Sequence, residues 1–111
     1  MDLKAHLENQ IIFSRNTFGP GTNTERLLNH LKNEIEETLN SHGDSSEWVD
    51  ILILALDGLT RQIAFVDGYD PAKNAQRACE ILQQKQRINE NRKWPDWRTT
   101  APSAPIEHLK T

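Results

Sequence analysis

At 111 residues the chain is sized for one domain with a modest core, which favours association with further copies. Its net charge of −3 argues against nucleic-acid binding by bulk charge, and the lone Cys79 can close no internal disulfide, which suits a reducing cytosol. Met1-Asp2-Leu3-Lys4 lacks the apolar core of a secretory signal, and the longest apolar run, Ile51 to Leu56, is too short to cross a bilayer, so a cytoplasmic protein is expected.

Residues 2–13 read as a first helix, with Leu3, Leu7 and Ile11 at helical spacing. Gly19-Pro20-Gly21 breaks the chain. A second helix starts near Asn23 or Thr24, both good caps, and carries Leu27, Leu28, Leu31, Ile35 and Leu39 to an end near Ser41. Asp44 with Glu47 three residues on resembles a capping box for a third helix over about 46–65. That helix is apolar nearly all round between Ile51 and Leu56, which predicts burial at a subunit interface. Asp70-Pro71 reads as cap and first residue of a fourth helix running to about Arg92. The tail from Trp94 holds three of the five prolines and should lack regular structure. The expectation is an all-α bundle of about four helices per subunit, assembling into a larger bundle. Residues 1–98 would form the helical domain and 99–111 an irregular tail.

Four acids stand out in two pairs, Glu34-x-x-Glu37 and Glu47-x-x-Asp50, each on one helical face. Ser41-His42-Gly43-Asp44 between them is turn-like. Residues 37 and 47, and 34 and 50, are equidistant from that turn, so folding back sets Glu37 against Glu47 and Glu34 against Asp50. Such a cluster repels itself unless a cation neutralises it, and hard oxygen ligands suit Mg²⁺ or Mn²⁺. A ferritin-like di-iron site would need Glu-x-x-His, which no histidine here provides, and zinc would want His and Cys. Read blandly, acids in such runs form a solvated helix face. Glu36 falls opposite the paired face. Asp57, two turns beyond Asp50, either extends the acidic row as a supporting or extra metal ligand or caps a neighbouring backbone group. His30, one turn before Glu34, is placed to orient it or is a plain surface or core histidine.

Lys85, Asn89 and Arg92 share one face of the fourth helix. A cation, an amide and a guanidinium in a row suit a polyphosphate, although a basic helix end is also favoured by the macrodipole. Arg15, beside the Gly-Pro-Gly break, is a further candidate for a phosphate or base contact. Trp94 and Trp97 either pack the tail or stack on a base, packing being the simpler reading.

The two acid pairs with their spacer resemble the signature of the MazG-like all-α NTP pyrophosphohydrolases. Thr17-Phe18-Gly19-Pro20-Gly21, His30-x-x-x-Glu34, Glu47-Trp48-Val49-Asp50-Ile51, Leu54-Ala55-Leu56-Asp57-Gly58, Lys85-Gln86, and Trp94-Pro95-Asp96-Trp97-Arg98 extend the likeness to dATP/dGTP diphosphohydrolases over about residues 10–98. The small stand-alone form looks like the phage MazZ enzymes, which supply dGMP for 2-aminoadenine DNA synthesis; a phage-encoded chain would work in the host cytoplasm. The resemblance implies hydrolysis of a purine (deoxy)nucleoside triphosphate, dGTP or GTP before dATP, to the monophosphate and pyrophosphate. It implies two or three Mg²⁺ or Mn²⁺ ions and a homodimer or homotetramer. Glu34, Glu37, Glu47 and Asp50 would then be the metal-binding and catalytic set, and Lys85, Asn89, Arg92 and Arg15 the substrate-binding set. Rival readings are an all-α dUTPase-like pyrophosphatase, a nucleotide sensor, and a non-enzymatic helical interaction module.

Overall fold

A computed structural model describes residues 1–110. The chain forms four α-helices, α1 (Leu3–Phe18), α2 (Thr24–Asn40), α3 (Ser45–Asp67) and α4 (Pro71–Asn91), with a 3₁₀ turn at Trp97–Thr99 and no strand among the described residues. The all-α, four-helix expectation is met, and no helix among the described residues is long and apolar enough to cross a membrane.

Asp2 caps α1 by accepting from Lys4 N (3.0 Å) and Ala5 N (3.4 Å). The helix runs five residues past its expected end at residue 13. The apolar period fades there, but Ser14 is buried and hydrogen-bonded, so a polar residue anchors the extra turn. Gly19, at φ 88°, then stops α1, and its N–H bonds Arg15 O. Asn23 precedes α2 as expected, yet its side chain makes no cap bond. It sits at φ 50°, so it serves by tolerating a left-handed backbone.

The α2–α3 turn is a Schellman ending with an unusual occupant. His42 holds the left-handed position at φ 57°, and Gly43 N donates to Thr38 O at 2.8 Å. Gly43 is itself at φ 79°, a backbone conformation that strains any side chain, and an added Cβ would lie 3.3 Å from Trp48 Nε1, so the indole would have to shift slightly. Asp44 caps α3 through Ser46 N. Its own N–H turns to Ser41 Oγ (3.4 Å), so the expected capping box is not closed by Glu47. At α4, Asp70 Oδ1 accepts from Lys73 N, while Asn74 takes Asp70 N and gives to Gly68 O; this clasp starts the helix at Pro71.

The chain divides into two compact units. The first, Met1–Cys79, holds α1, α2, α3 and the start of α4. Within it, α1 and α2 both pack on α3, and Leu7, Ile11, Ile63, Ala75 and Ala78 are its buried apolar residues. The core is small, and the apolar run of α3 is not covered within one chain: Leu52 is 55% exposed and Ile53 40%. The second unit, from Glu80 on, holds the rest of α4 and the tail. The tail is irregular apart from its 3₁₀ turn, as expected, but it is tied to the helix end. Trp94 Nε1 donates to Asn89 O (2.7 Å), its ring meets His108 edge-on at 5.9 Å, and Leu109 N donates to Lys93 O (2.7 Å). Trp94 therefore packs, the simpler of its two expected roles.

Candidate functional site

The α2–α3 hairpin brings three of the four paired acids together. Glu34 and Glu37 lie one turn apart on α2, and Glu47 lies in the first turn of α3. One carboxylate oxygen from each falls within 4.8 Å of the others. His30 Nε2 is 3.2 Å from Glu34 Oε1, the bracing contact that the one-turn spacing suggests. Glu34 Oε2 and Glu47 Oε2 are both buried and accept no hydrogen bond. Asp50, the fourth acid, is exposed and outside the converging trio. It joins Glu34 instead in lining a recess of about 390 Å³ set among α1, α2 and α3.

Burial and neighbouring negative charge raise the cost of ionising Glu47. Desolvation, then the charges of Glu37, Glu34, Asp50 and Asp44, push the Glu47 carboxyl above the ordinary glutamate value. The consequence for stability follows by linkage. At a pH below the ordinary value the group is protonated folded and unfolded, and the strain is absent. As pH rises through the raised value, the folded state must ionise an unwelcome carboxylate and loses stability. Glu47→Gln should therefore melt higher than the wild type in chelator at neutral pH, with the gap closing toward about pH 4. Melting curves over a pH series check this; a gap that stays constant across the series would assign the effect to packing.

Asp57 does not extend the acidic row. It is buried, accepts from Ser14 Oγ at 2.7 Å, and pairs with Arg61 Nε at 3.1 and 3.2 Å. Arg61 in turn donates through Nη1 to Gly19 O (2.9 Å) and Gly21 O (2.7 Å), and through Nη2 to Ser14 O (3.2 Å) and Ser14 Oγ (2.8 Å). All five guanidinium donors are engaged. The pair ties the glycine loop between α1 and α2 to α3. Neither Arg61 nor Ser14 is singled out by sequence reasoning; the available signal is the Asp57-x-x-x-Arg61 spacing.

The basic candidates fall in two groups. The Arg15 guanidinium sits 3.9 Å over the Tyr69 ring, beside a separate recess of about 260 Å³. Lys85, Asn89 and Arg92 are on the distal part of α4, in the second unit, with Lys85 exposed. Arg92 Nη1 donates to Asn89 Oδ1 at 2.9 Å, so the two form a preassembled guanidinium–amide pair. Trp97 is 66% exposed, with the Arg98 guanidinium 4.8 Å from its ring.

Converging carboxylate oxygens, two of them buried without a hydrogen-bond partner, can hold a metal ion. Comparison with known proteins supplies the reaction. A family model described as dATP/dGTP pyrophosphohydrolase matches residues 7–111. No curated protein and no solved structure matches. With nearly its whole length matched, the chain belongs to the dATP/dGTP pyrophosphohydrolase family and is a nucleoside triphosphate diphosphohydrolase.

Proposed function

We propose that the chain hydrolyses purine deoxynucleoside triphosphates, dGTP foremost, to the monophosphate and pyrophosphate in a reaction that depends on Mg²⁺ or Mn²⁺. The observation that carries this reading is the meeting of Glu34, Glu37 and Glu47 within 4.8 Å. The donor set fits a hard divalent ion: the ligands are all carboxylate, and two buried oxygens lack any partner. Glu34, Glu37 and Glu47 would hold it, with Asp50 completing the set from the next turn of α3. A divalent cation held there neutralises phosphate oxygens and lowers the pKa of a bound water.

The chain's own groups do the rest. His30 keeps Glu34 oriented, and Glu34 or Glu37 takes the proton of the attacking water. The water oxygen forms the bond to the α-phosphorus as the bond to the α–β bridging oxygen breaks, and pyrophosphate leaves. Lys85, Asn89 and Arg92 are proposed to bind the triphosphate on chemical grounds: fixed donors and positive charge suit a polyphosphate and its leaving group. Arg15 remains a further candidate for the same role. A homodimer or homotetramer would cover the exposed apolar side chains of α2 and α3, among them Leu28, Leu39, Trp48 and Leu52. The use of the product in phage nucleotide metabolism rests on the likeness to the small phage enzymes alone.

Incubation of dGTP, dATP, dCTP and dUTP with the protein and Mg²⁺ or Mn²⁺, followed by chromatography, tests the reading. Monophosphate and pyrophosphate should appear in equal amounts from the purines, and chelator should stop the reaction. Release of orthophosphate, or preference for dUTP, would overturn it in favour of a different hydrolase.

A further inference from the structure

The recess that Glu34 and Asp50 line has apolar walls and a third, different acid. Phe13, Phe18, Leu27, Ile53 and Leu54 wall it, and Asp57 also lines it. Phe13 and Phe18 meet edge-to-face at 6.2 Å, and both are more than half exposed, so they offer ring faces to an incoming group. Asp50 and Asp57 are two turns apart on α3, about 10 Å along the axis. If phosphate is handled at Glu34 and Asp50, a ligand reaching from there to Asp57 between apolar walls has the span of a sugar and a base.

We propose that this recess takes the base of the substrate and that Asp57 selects guanine over adenine. The inference rests on the pyrophosphohydrolase reading above and adds the base to it. Asp57 Oδ1 accepts from Ser14 and Arg61, whereas Oδ2 accepts only a share of the same Arg61 Nε–H. A carboxylate has about four acceptor sites, so Oδ2 keeps capacity for a further donor. As the anion of a buried ion pair, Asp57 can only accept. Guanine presents two adjacent donors, N1–H and the 2-amino group, which match an acceptor. Adenine presents the N1 lone pair at the same edge, which would face a buried carboxylate without a hydrogen bond. Arg61 fixes the acceptor before substrate arrives, because its remaining donors are anchored to Gly19, Gly21 and Ser14. Base faces would rest on Phe13 and Phe18, a sequence-tolerant contact that leaves discrimination to the edge.

The test is a substrate-analogue series on the wild-type chain, read as kcat/KM for pyrophosphate release. dGTP should exceed dATP by on the order of 100-fold. dITP, which keeps N1–H and loses the amino group, should fall between them. 1-Methyl-dGTP, which loses N1–H, and the 2-aminoadenine nucleotide, which keeps the amino group but has a bare N1, should both fall toward dATP. Phe13→Ala should raise KM for dGTP about tenfold and move kcat less. Asp57→Asn, which offers a donor as well as an acceptor, should narrow the dGTP/dATP ratio; should it not fold, the analogue series decides alone. Equal use of dATP and dGTP within about threefold, or undiminished cleavage of 1-methyl-dGTP, would overturn the base assignment while leaving the pyrophosphohydrolase reading intact. Failure to release pyrophosphate from any nucleotide would overturn both.

Discussion

Glu37→Ala is expected to lower kcat for pyrophosphate release by roughly a thousandfold or more, about 4 kcal/mol of transition-state stabilisation, while leaving a folded helical protein. The size follows from where the residue sits. Glu37 supplies one of three carboxylate oxygens that lie within 4.8 Å of one another, so its loss would take one ligand out of the proposed metal-holding set. The fold should survive because Glu37 is exposed and is not part of the buried core. Its removal also takes one negative charge away from Glu47, whose ionised form it disfavours. The metal-free variant should therefore melt no lower than the wild type. A coupled pyrophosphate assay and a far-ultraviolet circular dichroism melt make the check. Near-normal turnover in the alanine variant would remove Glu37 from the site.

The second large effect concerns stability. Arg61→Ala should cost about 3–5 kcal/mol, the usual penalty for stripping one partner from a buried ion pair. The variant leaves the Asp57 carboxylate in a buried position without its cation, and Gly19 O and Gly21 O without their shared donor. Native domains have only about 5–15 kcal/mol to lose, so the variant should be largely unfolded in mild urea. Arg61→Lys should recover only part of the loss, because an ammonium cannot reproduce the planar fork that reaches the loop and Asp57 together. Urea titrations with matched slopes measure this. A loss below about 1 kcal/mol would mean that the pair behaves like an exposed salt bridge.

Much of the fold could be read from local signals. Asp70-Pro71 marks the start of α4, and the acid pairs on either side of Ser41-His42-Gly43-Asp44 predict the hairpin that brings Glu34, Glu37 and Glu47 together. Those signals work because capping and helical register depend on neighbours a few residues away. Asp50 shows the limit. Counting outward from a turn fixes which residues share a helix face, but not where a flexible carboxylate points, and Asp50 lies outside the trio. The last turn of α1 was invisible for a related reason: Ser14 is held by Asp57 and Arg61, more than forty residues away. Asp57 and Arg61 read locally as an i, i+4 pair on a helix surface, and nothing in their spacing announces that the pair is buried beneath the glycine loop.

Ser41 has a consequence out of proportion to its size. Its hydroxyl meets the backbone amide of Asp44, the group a capping-box glutamate would otherwise have to serve. One small side chain in the connecting turn thereby relieves Glu47 of an architectural duty. The position that could have stitched the helix start is left free to join the acidic cluster, an arrangement settled four residues before α3 begins.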